Sequence, residues 1–519
     1  MAVLLSGPTP TEVVRAIQDY LPALYFAFGR GRVEMLAEEL GRDWDFLSVQ
    51  EKREVRRLIK EAEEGYPGLF GPRRKNLRRL LLRGIGYHHA GLSPALKDLV
   101  ERLYESQLVY VLFCTETFAV GVNFPAASAV FDACRKWDGH EFRPLMAREF
   151  FQMAGRAGRR GFDPVGRVFV RIDERFPEQT GFYREEEVEP VRGRLVLSPN
   201  TVLSLLHWKS DEEIQRFLEM NLATYQSSRE SRQLQGEVER LRQQVKELAR
   251  CFCDERGQPC CELFRLKIKK ELRRMRRNRR GVKGNRERLR ALQDLLKAGR
   301  KDCSYRVCLE AEKEIRRLEE QLHVLHARLR EIKAQSRDYP EEFRRVWGLL
   351  ESLGYVQGRE LLPRGRFALH VHVQEILVTE LVFTGIIADL PPWQVAGILA
   401  GVDYLPGRDE EVVEPPFPTE PVEELRQYLF KRGVPESFCL WSPVPCALAA
   451  AWYQGASFNE LLGMGNLQEG DIYSLLRREI DLLRQVERAA QATGDQGLAR
   501  LAREIRNRLD RDEVAFVGV

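Results

Sequence analysis

Over the first 180 residues or so, short apolar runs alternate with amphipathic stretches, a pattern that predicts strands separated by helices. Leu21-Pro-Ala-Leu-Tyr-Phe-Ala-Phe28 reads as a buried strand and is followed by a helix from about Val33 to Leu40. Arg53 to Glu64 and Asn76 to Leu82 have helical spacing. Val109 to Phe113 and Ala129 to Phe131 read as strands, Ala147 to Ala157 as a helix, and Gly166 to Ile172 as a closing strand. Such alternation predicts a mostly parallel sheet with functional loops at the carboxyl ends of its strands.

The pattern then becomes helical. Ser198 to Leu206 and Asp211 to Leu222 are followed by a heptad run, Leu234, Val238, Leu241, Val245 and Leu248, and later by a second, Ile315, Leu318, Leu322, Leu325, Leu329 and Ile332. Two such seams around a long insert predict a coiled-coil hairpin, and two amphipathic helices packed on a core are the alternative. Phe343 to Leu353 is an amphipathic helix. Gly354 to Leu369 alternates around Gly turns like a two-stranded wing, and a helix followed by a small wing suggests a winged helix. From Glu375 onward the chain reads as helices, interrupted by the Pro-rich acidic loop Asp409 to Pro421. The fold class expected is therefore α/β with a parallel sheet, followed by a mostly α region.

Composition narrows the class. A chain of 519 residues with 44% hydrophobic and 31% charged residues implies several domains and excludes a disordered chain, a collagen-like one or a disulfide scaffold. No stretch approaches the roughly 18 uninterrupted apolar residues of a membrane span, and the start lacks the basic and apolar regions of a secretory signal. A cytoplasmic protein with ten cysteines as thiols is the expectation. Cys251, Cys253, Cys260 and Cys261 lie near the hairpin tip; their C-x-C and C-C spacings match zinc sites loosely, so zinc is possible but buried thiols are favoured and no metal is assigned.

Charge is unevenly spread. Between Arg265 and Lys301 there are 17 Lys or Arg and three acids, whereas the whole chain carries only +5, so the remainder is net acidic. A basic block of this kind, with Arg273, Arg274, Arg276 and Arg277 at its centre, suits a polyanion such as nucleic acid; a solvated charge-rich helix is the alternative.

Two segments carry chemistry. Cys114-Thr-Glu-Thr-Phe-Ala-Val-Gly-Val-Asn-Phe-Pro125 follows a strand, and Gln152-Met-Ala-Gly-Arg-Ala-Gly-Arg-Arg-Gly161 covers a helix and its exit. Arg156 and Arg159 are three apart on one predicted helix, so both guanidiniums can point the same way, beside small residues that admit a close approach. Convergent planar donors of that kind suit a polyphosphate.

Together these segments resemble motifs V and VI of superfamily 2 helicases, specifically the superkiller-type (Ski-like) DExH RNA helicases. Tyr87-His-His-Ala-Gly-Leu92 is similar to the motif before motif V, and Tyr25-Phe-Ala-Phe-Gly-Arg30 to motif IV. Gln374 to Gly385 and Glu469 to Gln485 resemble the family's C-terminal helical domain. The resemblance implies a second RecA-like lobe at 1–185, a first part of a winged-helix region at 186–228, a coiled-coil hairpin insert at 229–338, the winged-helix remainder at 339–371 and a helical, DSHCT-like domain at 372–519. It also implies roles. Gln152, Arg156 and Arg159 would reach ATP across an interlobe cleft, the arginines as fingers, with Gly121 and Asn123 beside the nucleotide. Arg30 and Thr115 would touch the nucleic-acid backbone, and His89 and Gly91 would line the same path. The helix bearing Arg477, Arg478 and Arg484 resembles the one that tracks the strand, and a solvated face is an equal reading.

The chain contains no G-x-x-x-x-G-K-[S/T] loop and no D-E-x-H; Asp512-Glu-Val-Ala515 has Ala in place of His. The expectation is the C-terminal part of an ATP-dependent 3′–5′ RNA helicase, with DNA as the alternative substrate. It would use ATP with Mg²⁺ only beside a first RecA-like lobe supplied in cis or trans, and be inactive alone. A non-catalytic nucleic-acid clamp or a protein-docking arm is the alternative. The partners expected are RNA or single-stranded nucleic acid and that lobe, with no membrane and no homo-oligomer.

Overall fold

The structure, a computed structural model, describes residues 7–66, 68–119, 125–161, 163–172, 188–250, 268–271, 273, 290–291, 293–294, 305–335, 337–407 and 409–515. The described residues of 1–191, 198–208 and 346–519 form one compact unit, and those of 192–197 and 209–345 another.

In the first unit, the four apolar runs and one further segment form a five-stranded sheet of β1 (Ala23–Phe26), β2 (Ile85–His88), β3 (Val111–Cys114), β4 (Ser128–Phe131) and β7 (Arg167–Val170). The order is β2-β3-β1-β4-β7 and every pairing is parallel. Four-residue apolar strands buried on both faces are what helix-covered parallel sheets require, and β1 to β4 are buried throughout. Register aligns His88, Cys114, Phe26, Phe131 and Val170 in one row, so the five chains leave the sheet along one edge. Tyr25 packs on Phe113 at 4.8 Å and Phe131 on Phe150 at 4.7 Å between ring centres.

Local signals start the covering helices. Ser48 and Glu51 form a capping box ahead of Val49–Gly65, and Ser93 caps Pro94–Glu105 with proline in its first turn. The apolar pattern does not reveal β2, the Pro94–Glu105 helix, or a small antiparallel hairpin of β5 (Arg135–Trp137) and β6 (Phe142–Pro144). One helix is shorter than its pattern predicts. Ala147–Ala154 stops at Gly155, so Arg156 and Arg159 do not share a helix and the three-residue spacing does not align them.

The C-terminal part of this unit is helical. Glu469–Thr493 is its spine, packed against Gln496–Leu509, Pro392–Ala400 and Pro363–Ala368. Trp452 is fully buried, its indole N–H donating to the Leu509 carbonyl at 2.9 Å and its ring lying 3.6 Å beneath the Arg511 guanidinium. Asp512–Ala515 is a single 3-10 turn with Val514 buried, a structural end to the helix before it. The expected wing is smaller than its sequence suggests: β8 (Val356–Gln357) and β9 (Glu360–Leu361) pair, and Pro363–Ala368, begun by its proline, is already helical.

In the second unit, Leu222–Ala249 and Tyr305–Gln335 pack on each other. Leu234 and Val238 from one, and Ile315 and Leu318 from the other, are buried. The remaining heptad residues are half-buried. Among the described residues no helix is long and apolar enough to cross a membrane.

Candidate functional site

Three strands of the sheet deliver the expected residues to its carboxyl edge. The chain leaves β1 through Ala27, whose N–H donates to the Cys114 carbonyl at 3.0 Å, and turns at Gly29, whose φ of 126° suits glycine. Arg30 then opens the helix Arg30–Asp43. His89 follows β2 and Thr115 follows β3; Thr115 is half-buried and shares a 2.9 Å hydrogen bond with the Thr117 hydroxyl.

At this edge the lobe meets the start of the spine helix. Nη1 of Arg30 donates to Asp471 at 2.6 Å and to Gln468 at 3.2 Å. Arg74, almost wholly buried, donates to Glu469 at 2.7 Å, to Glu34 at 2.7 Å and to the Gly91 carbonyl at 3.3 Å. Burial opposes its charge, but Glu469, with smaller contributions from Tyr87 and Glu34, outweighs burial and holds it above the ordinary arginine value. Arg73 donates to the carbonyls of Leu462, Gly465 and Leu467. The Gly470 N–H donates to the Gly91 carbonyl at 3.0 Å, and a Cβ on either glycine would collide, at Gly91 with Gln468 and at Gly470 with the Ala90 carbonyl.

His89 is wholly buried in this seam, stacked on Tyr87 and bonded through Nε2 to Glu34 at 2.9 Å. Its Nδ1 accepts the Gly91 N–H at 3.1 Å, so Nε2 carries the proton of a neutral ring. Burial pushes its pKa down against the pull of Glu34, while burial of Glu34 is outweighed by His89 and Arg74, which lower that carboxyl. His89 and Gly91, expected along a strand path, are thus buried between lobe and spine.

A second cluster lies on the loops after β3 and the Ala147–Ala154 helix. Gln152 is exposed. Ala126 and Ala157 form a parallel bridge, in which the Ala126 N–H donates to Arg156 at 2.9 Å and the Gly158 N–H to Ala126 at 2.7 Å. The Arg156 guanidinium also reaches the Ala119 carbonyl through Nη2. The T-E-T-F-A and G-R-A-G-R segments are therefore stitched together. Gly158, with φ of 96°, lies against Gly166 and leaves no room for a side chain. Arg159 is turned onto Asp163 by Nε at 2.8 Å and Nη2 at 3.0 Å, which draws the Asp163 carboxyl down to about 2.

Gly121 and Asn123 lie outside the described residues, as do Arg274, Arg276, Arg277, Cys251, Cys253, Cys260 and Cys261; Arg273 is exposed. Among the described residues no group of three or more His, Cys, Asp or Glu could hold a metal ion. On the spine helix, Arg477 pairs with Asp510 at 3.1 Å, and Arg478 lies over the Tyr404 ring and donates to the Asp403 carbonyl at 3.4 Å. Sequence reasoning missed Glu34, Arg73, Arg74, Gln468, Glu469 and Asp471, since no local pattern tells a buried, paired charge from a solvated one.

Known proteins share both parts of this unit. Residues 52–161 match the helicase conserved C-terminal domain and residues 358–517 the DSHCT (NUC185) domain. Superkiller complex protein 2 of Homo sapiens is 41% identical over 190 residues, 36% of this chain and 15% of that protein. The DExH-box ATP-dependent RNA helicase DExH11 of Arabidopsis thaliana is 45% identical over 166 residues, 32% of this chain and 12% of its own length. The ATP-dependent RNA helicase mtr4 of Schizosaccharomyces pombe is 33% identical over 250 residues, 46% of this chain and 22% of its own length. The chain thus aligns with less than a quarter of each of these relatives.

Proposed function

We propose, from the premise that this chain belongs to the superkiller-type (Ski-like) DExH-box helicase family, that it is the second RecA-like lobe and helical domain of an ATP-dependent 3′–5′ RNA helicase. Both domain matches and relatives whose names state an RNA helicase support this reading. The observation that carries it is the stitched pair of loops, Ala126 on Ala157 and Arg156 on Ala119, which fixes an Arg/Gly-rich turn beside the sheet's carboxyl edge.

In this reading Gln152, Arg156 and Arg159, with Gly121 and Asn123, face Mg²⁺-ATP held by a first lobe in cis or trans. Arg156 suits an anion: its buried Nε has no acceptor among the described residues, and a phosphate oxygen would supply one. Arg159 has to exchange Asp163 for phosphate, a swap between two anions of similar geometry. Arg30 and Thr115 hold strand phosphates, which gives grip without sequence preference. His89 and Gly91 act indirectly, by shaping the seam. The packed helices Leu222–Ala249 and Tyr305–Gln335 form the coiled-coil arm that carries Arg273 and the basic block, and β8–β9 is the winged-helix wing. The protein works in the cytoplasm.

ATP hydrolysis tests this directly. The chain alone should hydrolyse nothing above background, and mixing or fusing it with a first RecA-like lobe that carries G-x-x-x-x-G-K-[S/T] and D-E-x-H should produce RNA-stimulated turnover. Arg156→Ala should remove that turnover, by a factor on the order of 10³ or more for an arginine finger, while leaving RNA affinity nearly unchanged. Turnover that survives Arg156→Ala would sink the finger assignment.

A further inference from the structure

Several arginines of the lobe spend their forks on protein carboxylates. Arg159 gives Nε and Nη2 to Asp163, and Arg32 gives Nε and Nη2 to Asp132, at 2.9 and 3.3 Å. Arg74 commits Nε, Nη1 and Nη2 within the seam. Arg30 differs from all three. It is held by Nη1 alone, at 2.6 Å from Asp471 and 3.2 Å from Gln468, and its Nε and Nη2 have no acceptor among the described residues. Its side chain is 38% exposed, against 4% for Arg74. The Nε–Nη2 edge is one of the two edges by which a guanidinium takes a phosphate with two parallel hydrogen bonds.

The holders are themselves fixed. Asp471 lies in the first turn of the spine helix and accepts the Gln468 N–H at 3.4 Å, and Gln468 is pinned against Gly91, where a Cβ would leave it no space. Arg30 stands at the first turn of its own 14-residue helix, whose amino-terminal field also favours an anion. A free arginine side chain loses rotamer freedom on gripping a phosphate, and one already held in place loses less.

We infer that Asp471 and Gln468 are positioning residues: they hold Arg30 by Nη1 so that its Nε–Nη2 edge is presented to a phosphate of single-stranded RNA. Through them the helical domain sets the grip of the lobe. The inference rests on Arg30 being a phosphate contact, as proposed above.

The test measures binding of the full chain to a fluorescein-labelled oligouridylate by anisotropy, across a salt series, with thermal unfolding alongside. Asp471→Asn keeps an acceptor for the Gln468 N–H and removes the charge that holds Arg30. It should weaken binding roughly five- to tenfold, as should Gln468→Ala. Arg30→Ala should weaken it at least as much and lower the salt slope by about one phosphate contact. In the Arg30→Ala background, Asp471→Asn and Gln468→Ala should have no further effect on affinity, whatever they do to the melting temperature, since a merely structural role would act in both backgrounds. Tighter binding by Asp471→Asn would mean that Asp471 competes with the strand, and unchanged binding that it does not act on Arg30; either overturns the inference and leaves Arg30 as a contact. An Arg30→Ala chain that binds as tightly as the parent overturns the phosphate-contact reading itself.

Discussion

Arg74 and Arg159 each close an ion pair of near-identical length, 2.7 Å to Glu469 and 2.8 Å to Asp163. The two pairs do different work. Arg159 and Asp163 are four residues apart on one loop and 23% and 15% exposed, so their pair stiffens a local turn and is partly screened by solvent at the arginine. Arg74 and Glu469 are 395 residues apart and both largely buried, and the same guanidinium also neutralises Glu34. Removing either partner there strands a charge without water. Equal geometry therefore carries unequal consequence, and burial decides which pair the fold depends on.

The largest effect should come from breaking the buried pair. Arg74→Ala is expected to destabilise the full chain by about 3–5 kcal/mol, and Asp163→Ala by less than about 1 kcal/mol, both read from urea unfolding. Similar losses would erase the distinction. Next in size are the glycines. Alanine normally stabilises a helix relative to glycine, but Gly470→Ala should cost about 1–3 kcal/mol because its Cβ meets a backbone carbonyl. Gly91→Ala should cost less, because its Cβ meets the side chain of Gln468 and not backbone, at the expense of the Gln468 contact to Arg30.

The smallest effect sharpens the comparison through pH. At the seam, Glu34 is held below its ordinary 4.5 and His89 below 6.5, so the unfolded chain takes up protons that the folded seam refuses. Seam stability should fall as pH drops through 6.5 and further below 4.5. Glu479, within the spine helix, behaves oppositely. It is buried, neither carboxyl oxygen has a hydrogen-bond partner among the described residues, and burial raises its pKa well above 4.5. The folded chain keeps that proton while the unfolded chain loses it, so stability should decline as pH rises above 4.5. Glu479→Leu should add about 1 kcal/mol near neutrality, since replacing an unsatisfied polar group by an apolar one of similar shape is neutral to stabilising. It should also flatten the alkaline side of the profile; a steeper decline would show that Glu479 has a partner on ionising.

How much was legible follows from the range of the forces involved. Four apolar runs gave strands in the right places; in β1, β3 and β4 burial on both faces marks every residue, whereas β7 is partly exposed and is marked by its β-branched and aromatic residues. Functional loops at the carboxyl edge followed from parallel topology, whereas Arg30 and Thr115 were singled out by the family resemblance alone. β2 escaped notice because Gly86, Tyr87 and His88 dilute its apolar signal. The single helix expected to carry Arg156 and Arg159 is not formed, because Gly155 ends it before either is reached. Arg30 and Asp471, 441 residues apart, could not be paired by any local pattern.

The two seam glycines bring backbone against backbone, so nothing compressible separates the lobe from the first turn of the spine helix. That helix runs for 25 residues, about 37 Å at its standard rise. Because three helices pack along it, it carries them with it: a rotation of about 5° of the helical domain at this seam would move the far tip of the helix by about 3 Å.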